Sequence, residues 1–116
     1  MAKEAVLSRR EDRRRFSPPG HSLTDSWPLV TTGEGARNVA VHVSEMQPGG
    51  AAYKHVHQQS EQVYFALSGK ARMVAGSKTF DVEPGDTVYI PAGVEHEAQV
   101  VGSAPFKSLV ILAPPA

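Results

Sequence analysis

The stretch "HVHQQSEQVYFALSG", residues 55–69, decides how this chain reads. It sets His55 and His57 two apart, follows them with Glu61 and Gln62, and runs through an apolar segment to Gly69. Residues two apart on an extended chain share a face. At about 3.3 Å of rise per residue the two imidazoles stand about 6–7 Å apart, a spacing that lets both converge on one ion. Histidines on exposed strands also occur with no function, so the pair alone weighs evenly between a metal and an ordinary surface.

A second stretch shifts that balance. "GDTVYIPAGVEHEAQV", residues 85–100, runs from a glycine turn through a short strand and a rigid Pro-x-Gly corner to His96. The chain has no cysteine, which removes disulfides, thiolate metal sites and cysteine nucleophiles. Any metal must therefore be held by nitrogen and oxygen. His21 and His42 are the other imidazoles that could compete. Three histidines on neighbouring strands would suit a divalent transition metal, with iron, manganese, nickel, zinc and copper all compatible.

Around these stretches the texture is that of short β-rich runs cut by Gly and Pro turns. Strands are expected over residues 39–46, 51–57, 62–68, 71–75, 78–82, 87–90, 94–101 and 106–112. "GS" between residues 75 and 78 is a two-residue hairpin signal. No stretch carries a helical period. About eight strands at this spacing point to an all-β antiparallel sandwich or barrel, and a jelly roll suits the count. Residues 1–28, rich in Pro, Ser and Gly after an Arg-rich start, read as an irregular arm, and residues 29–116 as the barrel domain.

Size and charge narrow the function classes. A chain of 116 residues is one domain, and 41% apolar residues is ordinary for a folded protein. The net charge is zero, yet residues 1–15 carry Lys3, Arg9, Arg10, Arg13, Arg14 and Arg15 against Glu4, Glu11 and Asp12. A nucleic-acid role could rest on that arm. No DNA-binding element accompanies it, so the expectation is an arm that packs on the acidic body, with Trp27 anchoring it to the body or to a partner. No apolar run approaches the length of a membrane span, and no apolar segment follows the basic start, which makes a cytoplasmic location the expectation. Dinucleotide, P-loop and nucleophile-elbow motifs are absent, so nucleotide binding and serine-hydrolase chemistry have no support.

The two stretches together resemble the cupins. Gly49, His55, His57, an oxygen ligand near 61 or 62, and Gly69 match the first cupin motif; Gly85, Pro91, Gly93 and His96 match the second. Fifteen residues separate Gly69 from Gly85, the short spacer of single-domain cupins of the RmlC-like kind. The resemblance implies a double-stranded β-helix jelly-roll barrel with a metal held by His55, His57, His96 and a fourth ligand. It leaves the reaction open, because this fold hosts many chemistries. Val100 stands where the second motif carries Asn, so a polar pocket group is missing.

The fourth ligand is Gln62 or Glu61. Spacing back from Gly69 favours Gln62, whereas burial of the apolar row and carboxylate chemistry both favour Glu61. Alternation separates them: an inward Glu61 brings Val63, Phe65 and Leu67 inward, whereas an inward Gln62 brings Tyr64, Ala66 and Ser68. A bulge around "QQSE" would change that parity. We favour Gln62, with Glu61 in support. That choice turns Val63, Phe65 and Leu67 outward, and a homodimer is then the simplest cover. Tyr64, Glu61 and Tyr53 are the candidate catalytic side chains, Tyr53 because it precedes His55 by two. Tyr89 and His42 read as structural, and Met46 and Met73 as core fillers. Glu95 and Glu97 face away from His96. The leading expectation is a metal-dependent enzyme of dioxygenase, cyclase, lyase or isomerase type, acting on an oxygenated anionic small molecule. The alternative is a non-catalytic binder that senses a metal or small ligand.

Overall fold

In the computed structural model, which describes residues 4–116, period-two burial runs along most strands. On β3 (Glu61–Ser68) Gln62, Tyr64 and Ala66 are buried while Glu61, Phe65 and Leu67 are exposed. β4 (Lys70–Ala75) buries Ala71 and Met73, β6 (Thr87–Ile90) buries Val88 and Ile90, and β8 (Phe106–Ala113) buries Phe106, Ser108 and Val110. Each strand therefore has one face toward a common interior, as half-buried strands require.

The remaining strands are β1 (His21–Val30), β2 (Ala40–His55), β5 (Lys78–Val82) and β7 (His96–Val101). All pairings are antiparallel, in the order β5-β4-β7-β2-β8-β3-β6, with β1 beside β2. β2 belongs to both halves of this nearly closed barrel. Its first part pairs with β8 and its last part with β7. The all-β jelly-roll barrel expected from the sequence is the fold observed.

Two details differ from expectation. Residues 39–46 and 51–57 form one bent strand rather than two, because "QPGG" does not reverse the chain: β1 stays paired to both sides of it, with a register jump between Ser22 and Thr24. Residues 21–28, expected to be irregular, are most of β1. Pro28 obscured this strand, but β2 is the one strand β1 pairs with among the described residues, its other side meeting only the Phe16–Ser26 bridge, and an edge strand tolerates a residue that donates no hydrogen bond.

The inward rows stack in register. Phe106 lies opposite Met46, Ser108 opposite Ser44 and Ala66, Val110 opposite His42 and Tyr64, and Leu112 opposite Ala40 and Gln62. The first two layers are packed with Met46, Phe106 and small residues, and Met73 fills the core beside them. The last two carry the polar side chains and open into a cavity. At the packed end only glycine fits at position 69: a Cβ there would lie 2.1 Å from the Pro105 carbonyl oxygen, and the residue has φ +77°.

The Arg-rich segment lies against the body. Arg10 pairs with Glu45 at 3.4 Å and sits 3.8 Å over the Trp27 ring, Arg13 pairs with Glu34, and Arg15 with Asp25 at 3.4 Å. These partners account for three of the basic groups on which a nucleic-acid role would have rested; Lys3 lies outside the described residues. Among the described residues no helix is long and apolar enough to cross a membrane.

Candidate metal centre

The end of β2, the loop after it and the start of β7 bring His55, His57 and His96 together. One ring nitrogen from each lies within 4.8 Å of the others. Ring centroids are 5.1 Å apart for His55 and His57, 4.2 Å for His55 and His96, and 5.6 Å for His57 and His96. His55 faces His96 directly across the β2–β7 pairing.

Backbone carbonyls set the tautomers. A carbonyl only accepts, so His55 Nδ1–H donates to Tyr53 O at 2.7 Å and His96 Nδ1–H donates to Val94 O at 3.0 Å. This leaves Nε2 of both rings with a free lone pair, the arrangement that orients metal-ligating imidazoles. Burial holds the His57 and His96 pKa values below the ordinary range; neighbouring imidazoles add to this, and the Val94 carbonyl partly opposes it at His96. Neutral rings are the form that binds a cation.

Gln62 is buried inside the barrel and lines the same cavity as His55 and His57, whereas Glu61 is exposed on the outer face. Its Oε1 and His96 Nε2 are the buried side-chain atoms without a hydrogen-bond partner among the described residues. Unpartnered buried polar atoms are costly and call for an explanation. Both are electron-pair donors. A cation is the partner that fits them, and the donor set contains no charge to oppose one.

The three candidate catalytic residues fare differently. Tyr64 is buried, lines the cavity, and has its phenol pushed up to about 12 by burial, with the Gln62 side chain partly offsetting this. Glu61 is turned away from the cavity by strand alternation and accepts a hydrogen bond from Tyr89 on the outer surface. Tyr53 is 58% exposed and does not line the cavity. Its expected place beside His55 assumed unbroken alternation. The β2–β7 register slips between Ala52 and His55, so Ala52 takes the inward position and Tyr53 contributes only its carbonyl.

Two further cavity residues entered the sequence reading only as competing imidazoles, His42 with a structural role. His21, on the strand read as irregular, donates Nδ1–H to Pro19 O at 2.9 Å and lies 5.8 Å from His55 between centroids. His42 faces inward opposite Val110, with its pKa lowered to about 4 by burial and then by His21. The alternation of "VAVHVSEM" already gave His42 an inward parity with Ser44 and Met46; nothing local marked His21.

Comparison with known proteins agrees with this geometry. The Cupin domain family matches residues 42–112. An uncharacterized protein of Streptomyces coelicolor is 37% identical over 79 residues, covering 68% of this chain and 73% of that protein. An uncharacterized protein of Methanocaldococcus jannaschii is 36% identical over 67 residues, covering 58% of this chain. That match spans about half of the archaeal protein, 54%. Among solved structures, the polyketide cyclase RemF of Streptomyces resistomycificus superimposes with a TM-score of 0.80 at 25% identity, covering 100% of this chain and 83% of that one. Residues 42–112 carry both histidine stretches, and the chain belongs to the cupin domain family.

Proposed function

We propose that this cupin is a metal-dependent enzyme acting on an oxygenated small molecule, with His55, His57, His96 and Gln62 as the residues that hold a divalent cation. The observation that carries this reading is the pair of buried, unpartnered donor atoms, Gln62 Oε1 and His96 Nε2, beside a three-histidine cluster. When bound, such a cation supplies Lewis acidity toward an oxygen of the substrate, and four neutral ligands leave its double charge uncompensated.

The chain's own residues do the rest. Tyr64 keeps its proton at neutral pH and is placed to donate a hydrogen bond from the cavity wall. Val110 and Leu112 line the wall beyond it and exclude water from the bound molecule. Likeness to a polyketide cyclase supports a cyclase-type reaction, one of the dioxygenase, cyclase, lyase and isomerase types that the fold accommodates. Incubating metal-loaded protein with aromatic polyketone, β-diketone and catechol panels, while following product and oxygen, tests this. Turnover that disappears in His96→Ala supports the reading, and ligands bound tightly but recovered unchanged contradict it.

One observation favours the second reading, a non-catalytic binder. With Glu61 on the outside, no Asp, Glu or Lys side chain among the described residues lines the cavity to shuttle protons. The same panels separate the two.

The functional unit is proposed to be a homodimer. Outward parity places Val63, Phe65 and Leu67 of β3 beside Tyr89 of β6 and Leu109 and Ile111 of β8, and Phe65, Leu67 and Tyr89 are exposed. A second copy of this chain is the occupant that a contiguous apolar sheet face of a cupin barrel fits best.

A further inference from the structure

More than half of the residues that line the cavity lie outside the matched family region. Phe16, Pro18, Pro19, His21, Pro28 and Val30 line it on the side of the N-terminal segment. That segment is fixed in place: Phe16 and Ser26 exchange both backbone hydrogen bonds at 2.8 Å, and the Phe16 ring stands edge-on to His42 at 6.1 Å. Val110 and Leu112 of β8 and Tyr64 of β3 also line it.

The cavity measures about 670 Å³, within the range of small-molecule sites. Among the described residues no Asp, Glu, Lys or Arg side chain lines it. Burial keeps His42 uncharged at neutral pH, since its pKa lies at about 4. A charged group placed in this part of the cavity would lose its hydration without gaining a counter-ion. A compact anion would also leave most of the apolar wall untouched. The anionic character expected of the substrate thus has support at the metal end alone.

We propose that the cavity takes an uncharged, ring-bearing molecule, whose body packs between Phe16, Val110 and Leu112 and whose oxygen-bearing edge meets the histidine cluster. The first half of this statement rests on the wall alone, and the second rests on the proposed function. His42 and Tyr64, neutral polar groups on opposite strands flanking Val110, provide hydrogen bonds along the ring's edge. Residues 16–30 set the specificity, through a segment that the family match does not include.

The probe is 2-naphthol, which has ring area, one hydroxyl and no chelating pair, compared with oxalate by calorimetric titration. Metal-free and metal-loaded protein are both titrated. We expect 2-naphthol to bind both forms at one site, at least tenfold more tightly than oxalate binds the metal-free form. Phe16→Ala, at a partly exposed position, is expected to weaken it about tenfold with little change in melting temperature. His42→Asn provides a second variant with the same expectation at the opposite end of that contact. Oxalate binding the metal-free form as tightly as 2-naphthol, or 2-naphthol affinity unmoved by both variants, overturns the proposal. Because the packing of the ring needs no metal, a chain that binds 2-naphthol but no cation would refute the proposed function and leave the first half of this inference standing.

Discussion

Gly93 donates its backbone N–H to the carbonyl of His57 at 2.8 Å, so the corner leading to His96 is tied to the loop that carries His57. The two histidine stretches, nearly thirty residues apart in "HQQSEQ…" and "PAGVEH", meet through this one hydrogen bond as well as through the β2–β7 pairing. Gly93 has φ +83°, a conformation that side-chain-bearing residues adopt at a cost. A Cβ there would meet nothing closer than Gln58 at 3.8 Å, so the penalty is conformational rather than steric. Gly93→Ala is expected to cost about 1–2 kcal/mol of stability and to weaken metal binding. Chemical denaturation and metal titration of the same variant check both; full metal affinity in a destabilised protein would show that the corner does not set the site.

Gln62 gives a charge test. Gln62→Glu places a carboxylate where the amide oxygen lacks a partner, and without a cation that burial is unfavourable. The metal-free variant should melt below wild type. Saturating metal should then raise its melting temperature by more than it raises wild type's, because affinity for the folded state adds stability by linkage. Gln62→Leu should bind metal more weakly than wild type. Equal metal-induced shifts in all three proteins would remove Gln62 from the ligand set.

His42 predicts a pH dependence. Its pKa falls from the ordinary 6.5 to about 4 in the folded state through burial, with His21 adding to the effect. Between those values the unfolded chain binds the proton and the folded chain does not. Stability from this residue is therefore full above pH 6.5 and is lost as pH falls toward 4, by about 2–3 kcal/mol after solvent screening. His21, His57 and His96 act in the same direction, so the difference between wild type and His42→Asn isolates the term. Urea denaturation from pH 7 to pH 4 should show a shallower loss in the variant; parallel curves would contradict it.

The outer face of β3 predicts an assembly. Phe65 and Leu67 are 38% and 47% exposed on a strand whose other face is buried. Sedimentation velocity at micromolar concentration should give twice the 12.5 kDa chain mass, and Phe65→Lys with Leu67→Lys should give the monomer with an unchanged β-sheet spectrum. A monomeric wild type would show that this face is left uncovered.

The fold was legible because strands β3, β4, β6 and β8 alternate cleanly and the Gly76–Ser77 hairpin pairs Ala75 with Lys78 as expected. Gln62 was chosen by the motif spacing counted back from Gly69, against burial of the apolar row, which alone favoured Glu61. Tyr53 and His21 were not legible, for one physical reason. A bulge between Ala52 and His55 and the edge position of β1 are properties of strand pairing, and neither leaves a local mark in the residues concerned. Proline at position 28 and the mixed "HSLTDS" pattern even argue against the strand that carries His21.

The most direct measurement is elemental analysis of the purified protein beside His96→Ala and a His55→Ala/His57→Ala double variant. Wild type is predicted to hold close to one equivalent of a divalent transition metal per chain, and the folded variants to hold almost none. A wild type that stays metal-free after incubation with each candidate ion, or variants that keep the full equivalent, would contradict the assignment of this histidine cluster as a metal centre.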